Sequence, residues 1–178
     1  MLIRHANSEA NEAANQVLSE VKLTKYGLPL ERWLQVYGND KYIDSQLTEQ
    51  GIKQCEDASE HVNKIDFRYL FVSPLRRTLE TTYYTFRNHP NWKTMEIIVH
   101  PLLREKIGIS GDVPLPNSQL KLALEQIYQP MFEGRLNTKL IAGRIATLGD
   151  KPWYLDSLCE QTQRDLTAFS ELLQKDYT

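Results

Sequence analysis

Three pairs of ionisable residues stand shortly after apolar runs in this sequence of 178 residues. The pairs are Arg4 and His5, Arg76 and Arg77, and Arg104 and Glu105. Guanidinium groups bind anions through planar sets of N–H donors, so arginines that converge would create a local anion-binding site. Each pair also has a simpler alternative. Arg4 and His5 could be two polar residues at the surface. One of Arg76 and Arg77 could bond to Glu80 while the other is solvated, and Glu105 could merely neutralise Arg104.

The apolar runs before these pairs have the composition of β-strands. Leu2 and Ile3 precede the first pair, Tyr69–Val72 the second, and residues 95–100 the third. Helical sequence lies between these runs, which predicts parallel pairing, with Tyr69–Val72 beside the opening strand. Because the carboxyl ends of parallel strands meet at one edge of a sheet, we expect all three pairs at that edge.

Amphipathic helices are predicted to position these strands. The first covers roughly residues 8–21, the second begins with Thr48 as its N-cap, and the third is capped by Ser73 with Pro74 in its first turn. Apolar positions recur at three- and four-residue steps, at Ile52, Cys55, Ala58, Val62 and Ile65 in the second helix and at Leu75, Leu79, Tyr83 and Phe86 in the third. A last helix is predicted from Leu158, Thr162, Leu166, Phe169 and Leu173.

The composition excludes several classes of function. Hydrophobic residues make up 41% and charged residues 25% of the sequence, as in a soluble globular domain. The net charge of -2 gives no sign of a nucleic-acid or membrane partner, and no apolar run has transmembrane length. Cys55 and Cys159 lack metal-site spacing, which predicts no metal or disulfide and favours a reducing compartment. The expected location is therefore cytoplasmic.

Four motifs together resemble those of the histidine phosphatase superfamily, which includes the phosphoglycerate mutase-like enzymes. They are RHANSEAN at 4–11, DSQLTEQGIKQ at 44–54, SPLRRTLETT at 73–82 and PLLREKIG at 101–108, followed by Gly111 and Asp112. They occur in the family's order over more than half of the chain. The resemblance implies an α/β fold, with a mainly parallel sheet and helices on both faces.

The resemblance also implies a role for each candidate site residue. His5 would be the nucleophile that attacks phosphorus and carries a transient phosphohistidine. Arg4, Arg77 and Asn11 would bind the phosphoryl oxygens, and the nearby arginines would disfavour the cationic form of His5. Glu105 would protonate the leaving oxygen and then activate water. No metal and no other cofactor is implied, because this transfer depends on positioning and charge stabilisation.

Two positions depart from the family pattern. Ala6 stands where the family has glycine, which would cost energy if that position required a positive φ. The family's second histidine, on a strand near the C-terminus, has no counterpart in His61, His89 or His100, which are expected to be structural or solvated. The chain is therefore expected to be a fragment, an incomplete gene model or a degenerate member, with little phosphatase activity by itself.

We therefore expect a single domain over residues 1–178, incomplete at both ends, with residues 112–152 covering the substrate. The leading function is a metal-independent phosphohydrolase or phosphomutase acting on a small phosphomonoester or a phosphoprotein. The alternative is a catalytically inactive domain of the same fold that serves in binding or assembly. If the chain is complete, a second copy, a partner chain or a rearranged segment would have to complete the sheet, and a longer chain is the simpler solution. Of the adjacent arginines, Arg77 is expected to face the pocket and Arg76 solvent.

Overall fold

A parallel sheet organises the part of the chain that the computed structural model describes, which is residues 1–21, 30–107, 109–148 and 153. Its strands are β1 (Tyr69–Val72), β2 (Glu96–Val99) and β3 (Leu136–Asn137), in the order β1-β2-β3. In the register, Leu70 lies opposite Ile97, and Ile97 lies opposite Leu136. The expected α/β fold with a parallel sheet is confirmed, although β3 was not predicted. The extension of the sheet by a second copy or a partner chain stays a prediction.

Helices connect these strands, as parallel pairing requires. The structure contains α1 (Glu9–Glu20), α2 (Leu30–Val36) and α3 (Glu49–Val62) before β1, α4 (Arg76–Phe86) between β1 and β2, and α5 (Asn117–Ala123), a π-helical turn (Leu124–Tyr128) and α6 (Gln129–Met131) between β2 and β3, with α7 (Lys139–Leu148) after β3. Short 3₁₀ turns occur at Asp40–Tyr42, Pro101–Leu103 and Ser110–Asp112. In the described ranges, none of the helices has the length and apolar character needed to cross a membrane.

The starts of the helices follow from local capping. Ser8 caps α1 by accepting a hydrogen bond from the Asn11 N–H, and Thr48 caps α3 by accepting one from the Gly51 N–H. These two starts are confirmed. The start of α4 differs from the prediction, because Leu75 occupies the N-cap without a side-chain hydrogen bond. Ser73 instead accepts from the Leu75 N–H at 3.4 Å, which places it in the turn that precedes the helix.

The hydrophobic core lies around β2. Ile97 and Val99 alternate with Ile98 along this strand, and all three are fully buried, so the sheet is covered on both faces at β2. The residues packed in the main cluster come from the helices as well, and include Leu79, Phe86, Leu120, Leu124, Tyr128, Phe132 and Ile141. The core therefore fixes α4 and the helices after β2 to the same sheet.

Residues 1–7 form neither helix nor strand. The predicted opening strand and its pairing with β1 are therefore wrong for the described structure, in which β1 pairs with β2. Leu2 and Ile3 are exposed, and the N–H of Ala6 donates to the Thr81 hydroxyl rather than to a neighbouring strand. A strand needs a ladder of backbone hydrogen bonds to a neighbouring strand, whereas residues 1–7 bond to side chains and to the start of α3.

The C-terminal third contributes to the core. Leu120, Leu124 and Tyr128 pack in the main cluster, although they lie within the interval 112–152 that was expected to cover the substrate. That covering role stays a prediction. The predicted last helix and Cys159 lie outside the described residues.

Candidate active site

His5 is half-buried, and its hydrogen bonding fixes the state of the imidazole. Its Nδ1 lies 2.8 Å from the carbonyl oxygen of Ala6. Because a carbonyl oxygen only accepts, Nδ1 carries the proton and Nε2 presents its lone pair. Burial chiefly lowers the pKa of His5 below 6.5; Arg77 and Arg4 lower it further, while the Ala6 carbonyl and Glu105 raise it. The neutral imidazole that a nucleophile requires is thus the favoured form.

The segment after His5 is held by α3. The carbonyl of Asn7 accepts from the Thr48 N–H at 3.1 Å, and the Asn7 N–H donates to the Gln54 Oε1 at 2.9 Å. A methyl group on Gly51 would lie only 2.1 Å from the Asn7 carbonyl oxygen, so glycine is required for this close approach. The three-residue spacing of Thr48, Gly51 and Gln54 could have indicated one helix face that binds a common segment, but it was not interpreted so.

Ala6 is held from the other side by α4. Its N–H donates to the Thr81 hydroxyl at 3.0 Å, and that hydroxyl donates to the Arg77 carbonyl at 2.7 Å. In the described part of the chain, the non-glycine residues with positive φ are Asp44 and Glu133. Ala6 therefore adopts a conformation that carries no penalty for a side chain.

Arg77 is buried and bonded through both terminal nitrogens. Its Nη2 lies 2.8 Å from Glu105 Oε2 and 3.1 Å from Asp112 Oδ1, and its Nη1 donates to the Gly111 carbonyl. Its Nε is buried and, within the described part of the chain, has no hydrogen-bond partner. Arg77 and Glu105 are thus in direct contact, and both act electrostatically on His5. Asp112 was recognised in a motif, but its bond to Arg77 was not predicted.

Arg4 and Asn11 differ in how they relate to this cluster. Arg4 is exposed, and its charge acts on His5. Asn11 lies in the first turn of α1, where its Oδ1 accepts from the Ser8 N–H at 3.3 Å and from the Ser8 hydroxyl at 3.0 Å. That orientation leaves the Nδ2 group as the donor. Binding of phosphoryl oxygens by Arg4 and Asn11 stays a prediction.

Arg76 does not face solvent as expected, since it is half-buried. Its backbone N–H donates to Asp44 Oδ1 at 2.8 Å, and its positive charge acts on Asp44, Glu80 and Tyr128. The desolvated carboxylates attract the guanidinium to this side of α4. The alternative in which one arginine lies near Glu80 therefore describes Arg76 better.

The carboxylates near Arg76 bond mainly to backbone N–H groups. Asp44 also accepts from the Leu115 N–H at 3.3 Å, and Glu80 accepts from the Leu47 N–H at 2.7 Å and the Tyr128 hydroxyl at 3.2 Å. Burial is the largest influence on both groups: it raises the pKa of Asp44 to about 6 and raises that of Glu80, while the bonded N–H groups lower both. These carboxylates join separate segments of the fold.

The other histidines lie outside this cluster. His61 is exposed on α3, whereas His89 and His100 are buried. His89 Nε2 is 3.0 Å from the Ile65 carbonyl, and His100 Nδ1 accepts from the Leu102 N–H at 3.2 Å. These positions agree with the expected structural or solvated roles. Within residues 1–21, 30–107, 109–148 and 153, no group of three or more His, Cys, Asp or Glu side chains could hold a metal ion.

A cavity of about 530 Å³ adjoins His5. Its walls are mainly apolar and include Leu70 and Val72 of β1, with hydroxyl groups from Ser73 and Thr78. Arg77 and Glu105 are not among the residues that line it. His5 thus lines this cavity and also lies within the electrostatic influence of Arg77 and Glu105.

Comparison with known proteins gives one family match and several similar proteins. Residues 1–110 match the histidine phosphatase superfamily (branch 1). Fructose-2,6-bisphosphatase TIGAR of Xenopus laevis is 34% identical over 93 residues, 52% of this chain and 32% of that protein. Fructose-2,6-bisphosphatase TIGAR B of Danio rerio is 32% identical over 84 residues, 44% of this chain and 33% of that protein. Probable fructose-2,6-bisphosphatase TIGAR A of Danio rerio is 33% identical over 64 residues, 36% of this chain and 25% of that protein.

Proposed function

The chain belongs to the histidine phosphatase superfamily, and on that premise we propose that His5 acts as the nucleophile of a metal-independent phosphohydrolase or phosphomutase. One observation carries this proposal: a neutral imidazole with its Nε2 lone pair presented lies within the electrostatic reach of buried Arg77. A nucleophile on which the charge of a guanidinium acts suits phosphoryl transfer, because the group transferred is an anion.

The reaction would proceed in two displacements. Nε2 of His5 attacks phosphorus, the bond from phosphorus to the leaving oxygen breaks, and Glu105 gives that oxygen a proton. Water then attacks the phosphohistidine, Glu105 takes the proton, and the phosphorus–nitrogen bond breaks to release phosphate. In a mutase, a second substrate hydroxyl replaces water. Arg77 and Arg4 would stabilise the phosphoryl oxygens throughout.

We propose a small sugar phosphate as the substrate class. The support is the fructose-2,6-bisphosphatase activity in the names of the similar proteins. The matched segments span between 25% and 33% of the length of those proteins, so the activity of the whole protein is part of the proposal. A phosphoprotein substrate is the other outcome that a substrate comparison would distinguish.

The test is to trap the phosphohistidine. The full chain would be incubated with p-nitrophenyl phosphate, quenched in base and measured by intact mass. We expect the mass of one added phosphoryl group, labile in acid and stable in base, which disappears in His5→Ala. His61→Ala is the matched control, because His61 is exposed on α3 and should leave the adduct unchanged. Binding of inorganic phosphate without any adduct would instead favour the inactive binding domain.

A further inference from the structure

Two carboxylates of different character bind the same nitrogen of Arg77. The Glu105 side chain is 54% exposed, whereas that of Asp112 is 13% exposed. Both accept from Nη2, at 2.8 Å and 3.1 Å respectively. The buried guanidinium, which is 3% exposed, therefore has one partner that solvent reaches freely and one that it scarcely reaches.

The two carboxylates also differ in how they are held. Asp112 belongs to the 3₁₀ turn Ser110–Asp112, and its Oδ2 accepts from the Ile109 N–H at 3.3 Å. In the same turn, the Gly111 carbonyl accepts from Arg77 Nη1. Glu105 lies in residues 104–107, which form neither helix nor strand. Moving Asp112 would disturb a packed turn, whereas Glu105 could leave Arg77 by rotating its own side chain.

A third feature of Arg77 is a buried donor that makes no hydrogen bond within the described residues. Its Nε–H is buried without a hydrogen-bond partner, although the two terminal nitrogens are bonded. A buried, charged donor without an acceptor is costly, so an acceptor that reaches it, such as a water, an ion or a ligand, gains a hydrogen bond. An anion that reached Nε and Nη2 together would satisfy this donor in the planar geometry that guanidinium groups prefer.

We propose that the phosphoryl group of the substrate displaces Glu105 from Arg77, while Asp112 stays bound and acts as a positioning residue for the guanidinium. This proposal rests on the proposed function and adds the order in which Arg77 exchanges Glu105 for the phosphoryl group. In the free protein, Glu105 occupies a phosphate-binding nitrogen. Arrival of the phosphoryl group releases the Glu105 carboxylate, which takes up a proton from the solvent that reaches it and then turns to the leaving oxygen. The acid thus becomes available only when the substrate is bound.

A pair of matched substitutions separates this exchange from general electrostatics. Glu105→Gln and Asp112→Asn each remove one negative charge next to Arg77. If charge alone mattered, both would strengthen the binding of a phosphate dianion. If Glu105 is a competitor and Asp112 a support, the first should strengthen binding and the second should weaken it.

The experiment measures the Kd of inorganic phosphate for the full chain by calorimetry. Glu105→Gln removes a half-exposed competing charge, so its Kd should be roughly threefold to tenfold lower than that of the wild type. Asp112→Asn should raise the Kd by about twofold to fivefold, since the guanidinium loses a charged support. Glu9→Gln removes an exposed charge that Arg77 does not bind, and should change the Kd less than about twofold.

A spectroscopic signature accompanies the affinities. The Arg77 Nε–H resonance should shift downfield when phosphate is added, because that donor gains an acceptor. A merely structural role of Asp112 would change folding but would not give opposite shifts in affinity from two matched variants.

Each outcome decides the inference. Stronger binding in Glu105→Gln with weaker binding in Asp112→Asn supports it, as does binding that appears only in Glu105→Gln. Equal strengthening in both variants overturns the inference and leaves the proposed function standing. Absence of binding in the wild type and in both variants overturns both. If Asp112→Asn does not fold, Glu105→Gln decides alone, and unchanged or weaker binding there overturns the exchange.

Discussion

Arg76 and Arg77 are neighbours in the first turn of α4, yet they lie in different surroundings. On the Arg77 side, the guanidinium itself is the hydrogen-bond donor to Glu105 and Asp112. The donor in these bonds is a side chain and not a backbone N–H. An anion of better geometry can therefore replace one of the acceptors. The Arg77 side therefore has the properties of a binding site.

On the Arg76 side, the carboxylates bond to the backbone. Asp44 joins the N–H groups of Arg76 and Leu115, and Glu80 joins the Leu47 N–H to the Tyr128 hydroxyl. Replacing these acceptors would open contacts between separate chain segments. Adjacent cations therefore do not form one anion site here, because the partners of each determine whether a ligand can enter.

The largest expected effect comes from removing Arg77. Arg77→Met leaves Asp112 without its buried charged partner, which should cost about 3 kcal/mol of unfolding free energy and weaken phosphate binding at least tenfold. Arg76→Met keeps the backbone bond to Asp44, so we expect a loss below about 1 kcal/mol. Denaturant unfolding measures the loss of unfolding free energy in both variants, and calorimetry measures their affinity for phosphate. Equal losses would contradict the distinction between the two sides.

A smaller effect is expected where α4 holds the segment after His5. Thr81→Val removes the acceptor of the Ala6 N–H, which should cost about 1 to 2 kcal/mol. The yield of phosphohistidine should fall, while the Kd of phosphate stays within about twofold. Thr82→Val is the control, because among the described residues its hydroxyl bonds within α4, to the Thr78 carbonyl. A full adduct yield in Thr81→Val would show that His5 needs no such support.

The pH dependence of the unfolding free energy should reveal the titration of Asp44, a buried carboxylate on the Arg76 side. Since burial raises the pKa of Asp44 from 3.8 to about 6, the folded state binds a proton more readily than the unfolded state. The unfolding free energy contributed by Asp44 is thus greatest below its unfolded pKa and is lost as pH rises through about 6. Between pH 7 and pH 5 the gain should be about 1 kcal/mol.

Asp44→Asn should remove this gain, as measured by chemical unfolding at the two pH values. Glu80, whose pKa is also raised, and His5, whose pKa is lowered, contribute equally in both proteins, so the difference isolates Asp44. Identical pH profiles would show that Asp44 does not titrate as its burial implies.

The smallest effect is expected from removing the Tyr128 hydroxyl, which bonds to Glu80. Tyr128→Phe removes one hydroxyl donor to Glu80 and should lower the unfolding free energy by about 0.5 to 1 kcal/mol. Phosphate affinity should not change, because this hydroxyl has no contact with Arg77 or Glu105. A shift in that affinity would reveal coupling between the two sides of α4.

Much of the framework was predictable because local signals agreed with the fold. The apolar run Tyr69–Val72 forms a strand and Thr48 caps α3, as composition and spacing predict. The opening strand was wrong, because a strand depends on partners that its own residues cannot specify. Of the site, the sequence indicated that Arg77 and Glu105 would meet, whereas their assigned roles stay predictions.

Other features could not be deduced from the sequence. Asp44 has a positive φ of 44° and is fully buried, which reflects its two backbone partners from distant segments. The bond between Arg77 and Asp112 spans 35 positions in the chain. Such contacts arise from the packing of whole elements, and neither periodicity nor capping carries information about them.

The π-helical turn Leu124–Tyr128 affects which changes in chain length the fold can accept. Its wide ring, closed by the Gln129 N–H bonding to the Leu124 carbonyl, holds one residue more than an α-helical turn would. Deleting exposed Gln126 would place Leu124 and Tyr128 three positions apart, still on one face. A deletion inside α4 would rotate all later residues by about 100°. Among related sequences, gains and losses of a single residue should therefore concentrate at this turn.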